Sequence, residues 1–325
     1  MRTLVTGGAG FIGHHLVRRL VERGDRVTVI DDFSTGFPWR LEPYRDRISI
    51  VEGSILDEEA LDRAVASSEV ILHEAAIPSV ARSVIAPKAT HAANATGTIE
   101  VMLAAARHGV RRVVLAGSSS VYGPAAELPC RETQRPAPSS PYGTSKLAAE
   151  HYLHTLGQLH GVETVVLRYF NVFGPGQDPA SEYSAVIPRF TMAVLEGRTP
   201  TINGSGDISR DFTYVDNVVE ANLLAAKASG PSGLTCNVAC GTRYTLLELL
   251  NAIGDAAGRR VEPEFGAPRA GDIVHSQADI ALARQALGYE PVVSFHEGIA
   301  RTVAWYRDQT TGLAAGPDRP PAAGA

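Results

Sequence analysis

The sequence predicts an α/β fold built on a doubly wound parallel sheet, with a smaller C-terminal domain interleaved with it. Two observations predict this fold. Short apolar strands alternate with helical patterns over residues 1–170, an alternation typical of a parallel sheet that carries helices on both faces. The first strand also runs straight into a glycine-rich turn, and beyond residue 170 the pattern loosens into glycine, proline and turn residues.

The glycine-rich turn lies near the start of the chain. Residues 3–5 are apolar, residues 6–13 read Thr-Gly-Gly-Ala-Gly-Phe-Ile-Gly, and a helical pattern follows. Glycines without Cβ atoms let the backbone turn sharply and approach a pyrophosphate, while the helix N-terminus offers N–H groups and the positive end of its dipole. Strand, turn and helix together predict a Rossmann-type dinucleotide site.

An acidic residue indicates which dinucleotide this site takes. The second strand, residues 26–30, ends in Asp31, which lies 18 residues beyond Gly13. This is close to the spacing of about 20 at which an acidic side chain accepts hydrogen bonds from the adenosine ribose. A carboxylate there repels a 2′-phosphate, so the spacing predicts NAD as the cofactor rather than NADP.

The remaining strands and helices follow in the same alternation. Strands are expected at 48–51, 69–72, 112–116 and 165–168, and helices at 57–66, 94–108 and 246–257. A helix at 216–227 and a strand at 235–239 are expected to return to the main sheet. Ligands of such sheets lie outside the carboxyl ends of the strands, so the residues directly after each strand are candidate site residues.

Composition argues against several classes of function. With 44% hydrophobic residues and a net charge of −5, the chain has no basic footprint for nucleic acid or an acidic membrane. No apolar run reaches the roughly 18 residues of a membrane span and no signal peptide is recognisable, so a cytoplasmic protein is expected. Cys130, Cys236 and Cys240 predict neither disulfides nor a metal site. His14 and His15 are expected on the helix surface rather than as ligands.

A tyrosine and a lysine on one helix are the candidate catalytic pair. The helix is expected from Pro141 to about Leu159, because serines followed by proline fit an N-cap and a first turn. Tyr142 and Lys146 are four residues apart and share a face of it. A tyrosine hydroxyl is a poor base at neutral pH, but a nearby ammonium stabilises the phenolate and lowers its pKa. After a dinucleotide half-site, the pair therefore predicts a tyrosine base.

Three motifs together resemble the extended short-chain dehydrogenase/reductases, and among them the NAD-dependent nucleotide-sugar epimerase/dehydratase family. They are the turn at 6–13, Ser-Ser-Ser-Val-Tyr-Gly at 118–123 and Tyr-Gly-Thr-Ser-Lys at 142–146. The chain looks most like the UDP-N-acetylglucosamine and UDP-glucose 4-epimerases. The resemblance implies an NAD-dependent isomerase in which Ser118 hydrogen-bonds the sugar 4-oxygen, Tyr142 is the base and Lys146 positions the nicotinamide ribose.

The resemblance also extends the list of expected cofactor contacts. They are Gly7, Gly10, Phe11, Ile12, Gly13, Asp31, Asp32, Ser34, Gly36, Ser54, Ile55, Ala75 and Ala76, together with Tyr142 and Lys146. Many relatives have Gly-Asp-Ile where this chain has Gly53-Ser54-Ile55. The expected adenine contact is therefore weakened or is made by a hydroxyl.

A second set of residues is expected to bind a UDP-sugar substrate. It comprises Ser79, Ser119, Ser120, Asn171, Gln177, Arg189, Arg210, Arg269, Asp272 and Ser276. A diphosphate needs fixed cationic groups, and arginine supplies them in bidentate geometry. The resemblance implies that Arg210 and Arg269 contact the diphosphate and that Asn171 contacts the substrate. For Arg189, a surface ion pair is an equal alternative.

The serine stretch and Ser276 bear on the reaction and the sugar. Related dehydratases carry an Asp-Glu pair at the positions of Ser119 and Ser120, and related decarboxylases carry a glutamate at that of Ser120, so the resemblance favours 4-epimerisation. In the family, a bulky tyrosine at the position of Ser276 excludes an N-acetyl group. Serine there predicts UDP-GlcNAc and UDP-GalNAc as substrates, with UDP-glucose and UDP-galactose also admitted.

Two alternatives remain at this point. The first keeps the scaffold and changes the reaction: a UDP-glucuronate 4-epimerase or a 4-ketoreductase of nucleotide-deoxysugars. The other alternative is a dinucleotide-sensing protein without catalysis, which typically lacks the tyrosine or the lysine of the catalytic pair.

The expected domain organisation follows from these motifs. Residues 1–171 form the NAD-binding domain, to which 211–240 return, and 172–210 with 241–306 form the UDP-sugar-binding domain. Residues 311–325 are expected to be a disordered tail, since they hold few apolar anchors. The resemblance also implies a homodimer, in which the helices that carry Asn94 and Tyr142 form a four-helix bundle.

Overall fold

The computed structural model describes residues 1–178, 186–229, 232–267 and 274–311. The strands are β1 Arg2–Thr6, β2 Arg26–Asp31, β3 Ile48–Glu52, β4 Val70–His73, β5 Arg112–Ser118, β6 Glu163–Tyr169, β7 Val172–Phe173, β8 Thr201–Asn203, β9 Ser209–Arg210, β10 Thr213–Tyr214, β11 Leu234–Val238, β12 Tyr244–Thr245 and β13 Glu264–Gly266. The α-helices are α1 Phe11–Glu22, α2 Glu58–Val65, α3 Val80–Ile85, α4 Pro87–His91, α5 Gly97–Arg107, α6 Pro141–His160, α7 Val186–Leu195, α8 Val215–Lys227, α9 Leu246–Ala257, α10 Ala281–Leu287 and α11 Phe295–Thr311.

The main sheet has seven strands in the order β11-β6-β5-β4-β1-β2-β3. All neighbours in it are parallel, which confirms the predicted fold class. The strand order reverses between β1 and β4, and open α/β sheets bind ligands in the crevice at such a point. The turn after β1 and the residues after β4 therefore border the expected cofactor cleft.

Helices cover both faces of this sheet, and a separate core lies beyond it. Leu16 of α1 and Val218 of α8 belong to one buried cluster. Leu61 of α2, Met102 of α5 and Leu153 of α6 belong to a second one. A third cluster joins residues of α7, α9 and α11 with those of β7 and β10. This third core supports the short strands that follow residue 170.

Strand β11 is far from β6 in sequence but lies beside it in the sheet. It pairs along its length with β6, with Cys236 opposite Leu167. The strand expected at 235–239 thus returns to the main sheet, whereas the full set of domain boundaries stays a prediction. Of the expected tail at 311–325, Thr311 is the last residue of α11 and 312–325 lie outside the described residues.

The helix expected at 94–108 is the second half of a longer helical run. α4, a π-helical segment at Ala92–Thr96 and α5 follow one another without a break, so Asn94 lies inside the run. The amide of Asn94 is buried and bonds the backbone of Ile77, with its Oδ1 2.8 Å from the Ile77 nitrogen. Its Nδ2 donates to Ser145 Oγ at 3.0 Å. The π-helical segment thus carries a buried amide that links this helical run to α6 and to the residues after β4.

Candidate active site

The glycine turn packs tightly between β1, β4 and α1. Gly7 has a φ of +68°, and a Cβ there would lie 2.8 Å from the Cα of Ala75. A Cβ on Gly13 would lie 2.1 Å from the Gly7 carbonyl oxygen. Only glycine at position 13 therefore allows α1 to pack this closely against the turn. The N-terminus of α1 begins directly after Gly10 and faces this turn. The cradle fits a pyrophosphate, which needs close backbone approach and N–H donors.

Asp31 ends β2 and is tied to the same turn. Its Oδ2 accepts a hydrogen bond from the Ala9 nitrogen at 2.8 Å, and its Oδ1 accepts one from the Phe33 nitrogen at 2.9 Å. The carboxylate is buried, and burial raises its pKa. Asp32 is exposed and its Oδ1 accepts from the Ser34 nitrogen at 2.9 Å. Asp31 is therefore the acidic side chain that reaches the glycine turn.

Other expected cofactor contacts lie around this cleft. Ser54 is half-buried, and its Oγ accepts from the Leu56 nitrogen at 3.2 Å, so its hydroxyl caps a turn. Ile55 is buried beside Gly97. Gly36 is buried against Asp31 and Ala9, where a Cβ would lie 2.8 Å from Asp31 Oδ1. The Ala75 nitrogen donates to Thr6 Oγ1 at 3.2 Å. Phe11, Ile12 and Ala76 are half-buried at the cleft edge, and Ser34 is exposed.

Arg40 was not predicted from the sequence, because no motif around it distinguishes it from a surface arginine. Its guanidinium is buried, donates to the Ala9 oxygen at 2.9 Å and also donates to the Gly176 oxygen at 2.5 Å. It joins the glycine turn to the loop after β7. Burial lowers its pKa to about 10, so it stays charged at neutral pH.

The expectation that His14 and His15 are surface residues is wrong. His15 is buried, and its Nε2 lies 2.9 Å from the Pro175 oxygen. His14 is half-buried, with Nδ1 2.9 Å from the Gly10 oxygen. Burial lowers the pKa of both rings, that of His15 to about 3. The sequence does not show that the loop at 174–178 covers this part of α1.

The candidate catalytic residues lie where β5 meets α6. Ser118 is the last residue of β5, and its Oγ accepts from the Ser120 nitrogen at 3.2 Å. Helix α6 begins at Pro141, with Ser140 as its N-cap accepting from the Gly143 nitrogen at 3.1 Å. The first turn of α6 thereby places Tyr142 near enough to Ser118 for the serine hydroxyl to lower the pKa of the phenol. The expected serine and tyrosine are therefore adjacent.

Lys146 lies one turn further along α6 and points into the protein. It is buried, and its Nζ donates to the Ala116 oxygen of β5 at 3.0 Å. Burial lowers the pKa of Lys146 to about 8, while Glu74 and Glu150 act in the opposite direction. A buried lysine with this pKa is still mostly protonated at neutral pH.

The pKa of Tyr142 differs from the sequence-based expectation. Burial raises it, the hydrogen bond with Ser118 lowers it, and the negative charge of Glu74 raises it further. A nearby ammonium favours the phenolate, but ionising a phenol away from water costs free energy that a sequence motif does not show. In the protein alone, the tyrosine is therefore not yet an activated base.

Three polar residues next to this pair were missed from the sequence. Glu74 follows β4, and its Oε1 accepts from the Tyr169 hydroxyl at 2.7 Å. The Tyr169 hydroxyl in turn accepts from Asn222 Nδ2 of α8 at 2.7 Å. Burial raises the pKa of Glu74 to about 7. The position of Glu74 directly after β4 is the signal in the sequence that could have marked it as a candidate site residue.

A buried ion pair braces α6 against the sheet. Arg168 of β6 donates to Glu150 of α6 through Nε and Nη2, with the shortest contact at 2.8 Å. Its Nη1 also donates to the Tyr122 hydroxyl at 3.0 Å. Glu150 lies one turn beyond Lys146, so the pair fixes the helix that carries both candidate catalytic side chains.

Several substrate-binding candidates meet at a cavity of about 280 Å³ beside the short strands. Asn171, Arg189 and Arg210 line it, together with Phe190, Thr201, Ile202, Asn203, Ile208, Phe212 and Leu246. Arg210 is half-buried, whereas Arg189 is exposed. Asn171 has a φ of +38°, and its Nδ2 donates to the Asp211 oxygen at 3.1 Å. Cationic, amide and aromatic groups thus converge on one concave site.

The remaining candidates are distributed more widely. Ser79 is the N-cap of α3, and its Oγ accepts from the Arg82 nitrogen at 3.1 Å. Gln177 Nε2 donates to the Val172 oxygen at 3.4 Å. The Ser276 nitrogen donates to the Ser209 oxygen at 3.0 Å, which places Ser276 beside β9 and Arg210. Ser119 and Ser120 are half-buried directly after Ser118, while Arg269 and Asp272 lie outside the described residues.

The described residues contain neither a candidate metal site nor a candidate membrane span. Over the described ranges, no group of three or more His, Cys, Asp or Glu side chains is placed to hold a metal ion. No helix in the same ranges combines the length and the apolar character needed to cross a bilayer. The cradle at Gly7 and Gly13, closed by Asp31, fits NAD instead.

Known proteins resemble this chain over nearly its full length. The family described as "NAD dependent epimerase/dehydratase family" matches residues 3–239. A UDP-glucose 4-epimerase of Mycolicibacterium smegmatis is 40% identical over 314 residues, which cover 95% of this chain and 100% of that protein.

Two solved structures share the fold and part of the sequence. The UDP-glucose 4-epimerase of Thermotoga maritima, solved with UDP-glucose, has a TM-score of 0.90 and 37% identity, covering 95% of this chain and 100% of that one. The UDP-N-acetylglucosamine 4-epimerase of Methanobrevibacter ruminantium M1, in complex with UDP-N-acetylmuramic acid, has a TM-score of 0.90 and 35% identity, covering 95% and 98%.

Proposed function

The chain belongs to the NAD dependent epimerase/dehydratase family, and from that premise we propose that it is an NAD-dependent UDP-hexose 4-epimerase. The observation that carries the proposal is the placement of Ser118, Tyr142 and Lys146 together where β5 meets α6, at the edge of a dinucleotide cleft. The similar UDP-sugar 4-epimerases of three organisms support the same reaction.

The residues divide the work of the reaction as follows. Tyr142, as a phenolate, accepts the proton of the sugar 4-hydroxyl, and Ser118 hydrogen-bonds the same oxygen and fixes its position. Lys146 supplies the ammonium that offsets the cost of ionising the buried phenol. The glycine turn and Asp31 would hold NAD⁺ in the cleft, where it would supply the acceptor and donor of the hydride at the sugar C4. Tyr142 then gives the proton back to the oxygen.

The cavity beside β8 and β9 is proposed to hold the nucleotide part of the substrate. Arg210 and Arg189 lie on its wall, and guanidinium groups suit a diphosphate. Asn171 lines the cavity and lies two residues after Tyr169. The Tyr169 hydroxyl donates to Glu74, which follows β4 at the same edge of the sheet as the catalytic residues. The end of β6 therefore connects the nucleotide cavity with the catalytic residues, as a UDP-sugar needs to reach both.

For the sugar, we propose UDP-GlcNAc and UDP-GalNAc, with UDP-glucose and UDP-galactose also accepted. Ser276 is half-buried beside β9, and a serine is smaller than the tyrosine that, by the family resemblance, excludes an N-acetyl group at this position. One similar structure is a UDP-N-acetylglucosamine 4-epimerase, while two other relatives are UDP-glucose 4-epimerases. A UDP-glucuronate 4-epimerase or a 4-ketoreductase is the second candidate on this scaffold.

A homodimer through α5 and α6 stays a prediction from the family resemblance. The two helices pack against each other, with the Asn94 amide bonded to Ser145 at their junction. Tyr152 and Leu159 of α6 are exposed in the single chain, so α6 has apolar surface that a partner would cover. Measurement of the molar mass in solution by light scattering tests this prediction.

The proposed function is tested by an NMR time course of the purified protein on UDP-GlcNAc and on UDP-glucose, without added cofactor. Interconversion of UDP-GlcNAc and UDP-GalNAc supports both the epimerase and the sugar preference. Turnover of UDP-glucose alone keeps the epimerase and overturns the preference. No turnover of either substrate, followed by consumption of added NADH on a 4-keto sugar, would establish the ketoreductase.

A variant at Ser276 tests the steric part of the argument. Ser276→Tyr adds a phenol beside β9, so turnover of UDP-GlcNAc is expected to fall by at least about tenfold while turnover of UDP-glucose is retained. Ser276→Ala is the matched control, since it removes only the hydroxyl and leaves the space. Equal losses with both sugars in Ser276→Tyr would contradict the assignment of this position.

A further inference from the structure

The loop at 174–178, which follows β7, is hydrogen-bonded to side chains from distant parts of the chain. Three consecutive backbone oxygens in it each accept a hydrogen bond from a buried side chain of another segment: Pro175 from His15 of α1, Gly176 from Arg40, and Gln177 from Tyr306 of α11. A carbonyl oxygen can only accept, so the Nε2 atom of His15 carries the hydrogen of that ring. The backbone of this loop is therefore fixed by three separate segments.

Arg40 is also hydrogen-bonded to the glycine turn. Its Nη1 donates to the Ala9 oxygen at 2.9 Å, and the Phe37 nitrogen donates to the same oxygen at 3.0 Å. The Ala9 nitrogen in turn donates to Asp31 Oδ2 at 2.8 Å. Both backbone polar atoms of Ala9, in the middle of the turn, are thus held by a buried arginine and a buried aspartate.

The guanidinium of Arg40 is itself held in place. Its Cζ lies 4.8 Å from the centre of the Phe37 ring and 5.3 Å from that of the Trp39 ring, and aromatic rings attract a cation placed in this way. The planar fork reaches two backbone oxygens at once, that of Ala9 through Nη1 and that of Gly176 through Nη2. Arg40 is therefore a fixed bridge between the glycine turn and the loop at 174–178.

This bridge bears on how the glycine turn binds NAD. Backbone N–H groups bind a pyrophosphate, and they have to point to the same place when the cofactor arrives. A turn that is already fixed in this conformation loses little further conformational entropy on binding, so it binds more tightly and releases its ligand more slowly. Phe173 of β7, directly before the loop, belongs to the third buried cluster. Through Arg40, the turn is thus braced against a packed core.

We propose that Arg40 is a positioning residue for NAD. It holds the glycine turn against the loop at 174–178 and thereby slows release of the cofactor, and Tyr306 assists by fixing the same loop. Arg40 acts through the backbone of the turn, since its Nη1 and Nη2 donate to backbone oxygens. The proposal concerns the NAD site alone, so it is independent of the identity of the sugar and of the proposed epimerisation.

The rate of NAD release tests the proposal directly and needs no turnover of a sugar. Full-length protein is saturated with NAD⁺, freed of excess NAD⁺ by gel filtration, and mixed with an excess of alcohol dehydrogenase and ethanol. Each NAD⁺ that leaves the protein is reduced to NADH, whose absorbance reports release against time. The NAD content of the protein as purified, measured after heat denaturation, gives a second readout.

Arg40→Met removes the bridge and keeps an unbranched side chain. NAD release is expected to accelerate by at least about tenfold, because loss of hydrogen bonds from a charged donor typically weakens an interaction by this factor or more. The NAD content of the variant as purified is expected to fall in parallel. A release rate equal to that of the wild type would overturn the proposal.

Arg112→Met is the matched control for a general loss of stability. Arg112 is buried and its Nη1 donates to the Ala225 oxygen at 2.7 Å, but it begins β5, at the end of the sheet opposite the cleft. Both variants are expected to unfold at lower urea concentrations than the wild type, whereas Arg112→Met is expected to release NAD at the wild-type rate. Equally fast release from the two variants would assign the effect to stability and overturn the proposal.

A milder pair of variants covers the case in which Arg40→Met does not fold. Tyr306→Phe removes only the hydroxyl that donates to the Gln177 oxygen, so release is expected to accelerate by about two- to tenfold. Tyr289→Phe is its control, since it removes a likewise buried hydroxyl that donates to the Ala239 oxygen, outside the loop, at 2.9 Å. Equal release rates in these two variants would decide against the proposal.

Discussion

The catalytic edge of the main sheet and the cavity beside the short strands handle charge in opposite ways. At the catalytic edge Lys146, Glu150 and Arg168 are buried and have fixed hydrogen-bond partners. In the cavity Arg189 is exposed, and Arg210 is half-buried on a two-residue strand, where its Nη1 donates to the Ser209 and Val274 oxygens. One region holds its charges buried in long, packed elements, and the other carries them on a short strand and at an exposed helix position.

This difference reflects what each region is proposed to do. Proton transfer depends on groups with displaced pKa values, and burial moves the pKa of Lys146 and of Glu74 towards neutrality but that of Tyr142 away from it. Binding of a diphosphate needs cations that stay charged at any physiological pH, which arginine does without burial. The contrast predicts that substitutions at the catalytic edge change turnover or stability, whereas substitutions in the cavity change affinity.

The largest effect is expected for Tyr142→Phe. If turnover did not fall in this variant, the contrast between the two regions would be contradicted most directly. Removing the hydroxyl removes the proposed base, so turnover is expected to fall by about two to four orders of magnitude. Affinity for UDP is expected to stay within about twofold, because the cavity at Arg210 is unchanged. Turnover is measured by NMR and UDP binding by calorimetry. Near-normal turnover would contradict the role assigned to Tyr142.

The next largest effect is expected on stability, for Arg168→Met. This change leaves Glu150 buried without its cation, which typically costs about 3–5 kcal/mol of unfolding free energy. Arg111→Met is the control, because it removes an ion pair with Glu163 that is roughly half-exposed. Its expected loss of unfolding free energy is below about 1 kcal/mol. Urea denaturation compares the two variants. Equal losses would show that burial does not distinguish these pairs.

The smallest of the three effects is expected for Arg210→Ala in the cavity. Loss of charge-assisted hydrogen bonds to a diphosphate costs about 1.5–3 kcal/mol, so the Kd for UDP is expected to rise about 10- to 150-fold. The kcat is expected to change much less. Arg189→Ala shows whether the exposed Arg189 contacts the diphosphate, in which case the Kd for UDP rises, or forms a surface ion pair, in which case it does not. A Kd for UDP that is unchanged in both variants would contradict the proposal that this cavity binds the diphosphate.

The sequence predicted the catalytic edge better than the cavity. The spacing of four between Tyr142 and Lys146 fixes a shared helix face wherever α6 lies, and the structure indeed places both at the end of β5. In the cavity, Asn171, Arg189 and Arg210 were named individually from the family resemblance, but their convergence was not derivable. Asn171 follows β6, Arg189 lies on α7 and Arg210 lies on β9, and no local sequence pattern relates these three elements.

The sequence by itself determined what depends on neighbours along the chain: the glycine turn, the acidic end of β2, the alternation of strands and helices, and the Tyr142 and Lys146 pair. Tertiary structure alone decided the rest. Glu74 meets Tyr169, and Arg40 meets Gly176, only because the strand order brings distant segments together. The raised pKa of Tyr142 likewise comes from burial, which is a property of the packed protein and not of a motif.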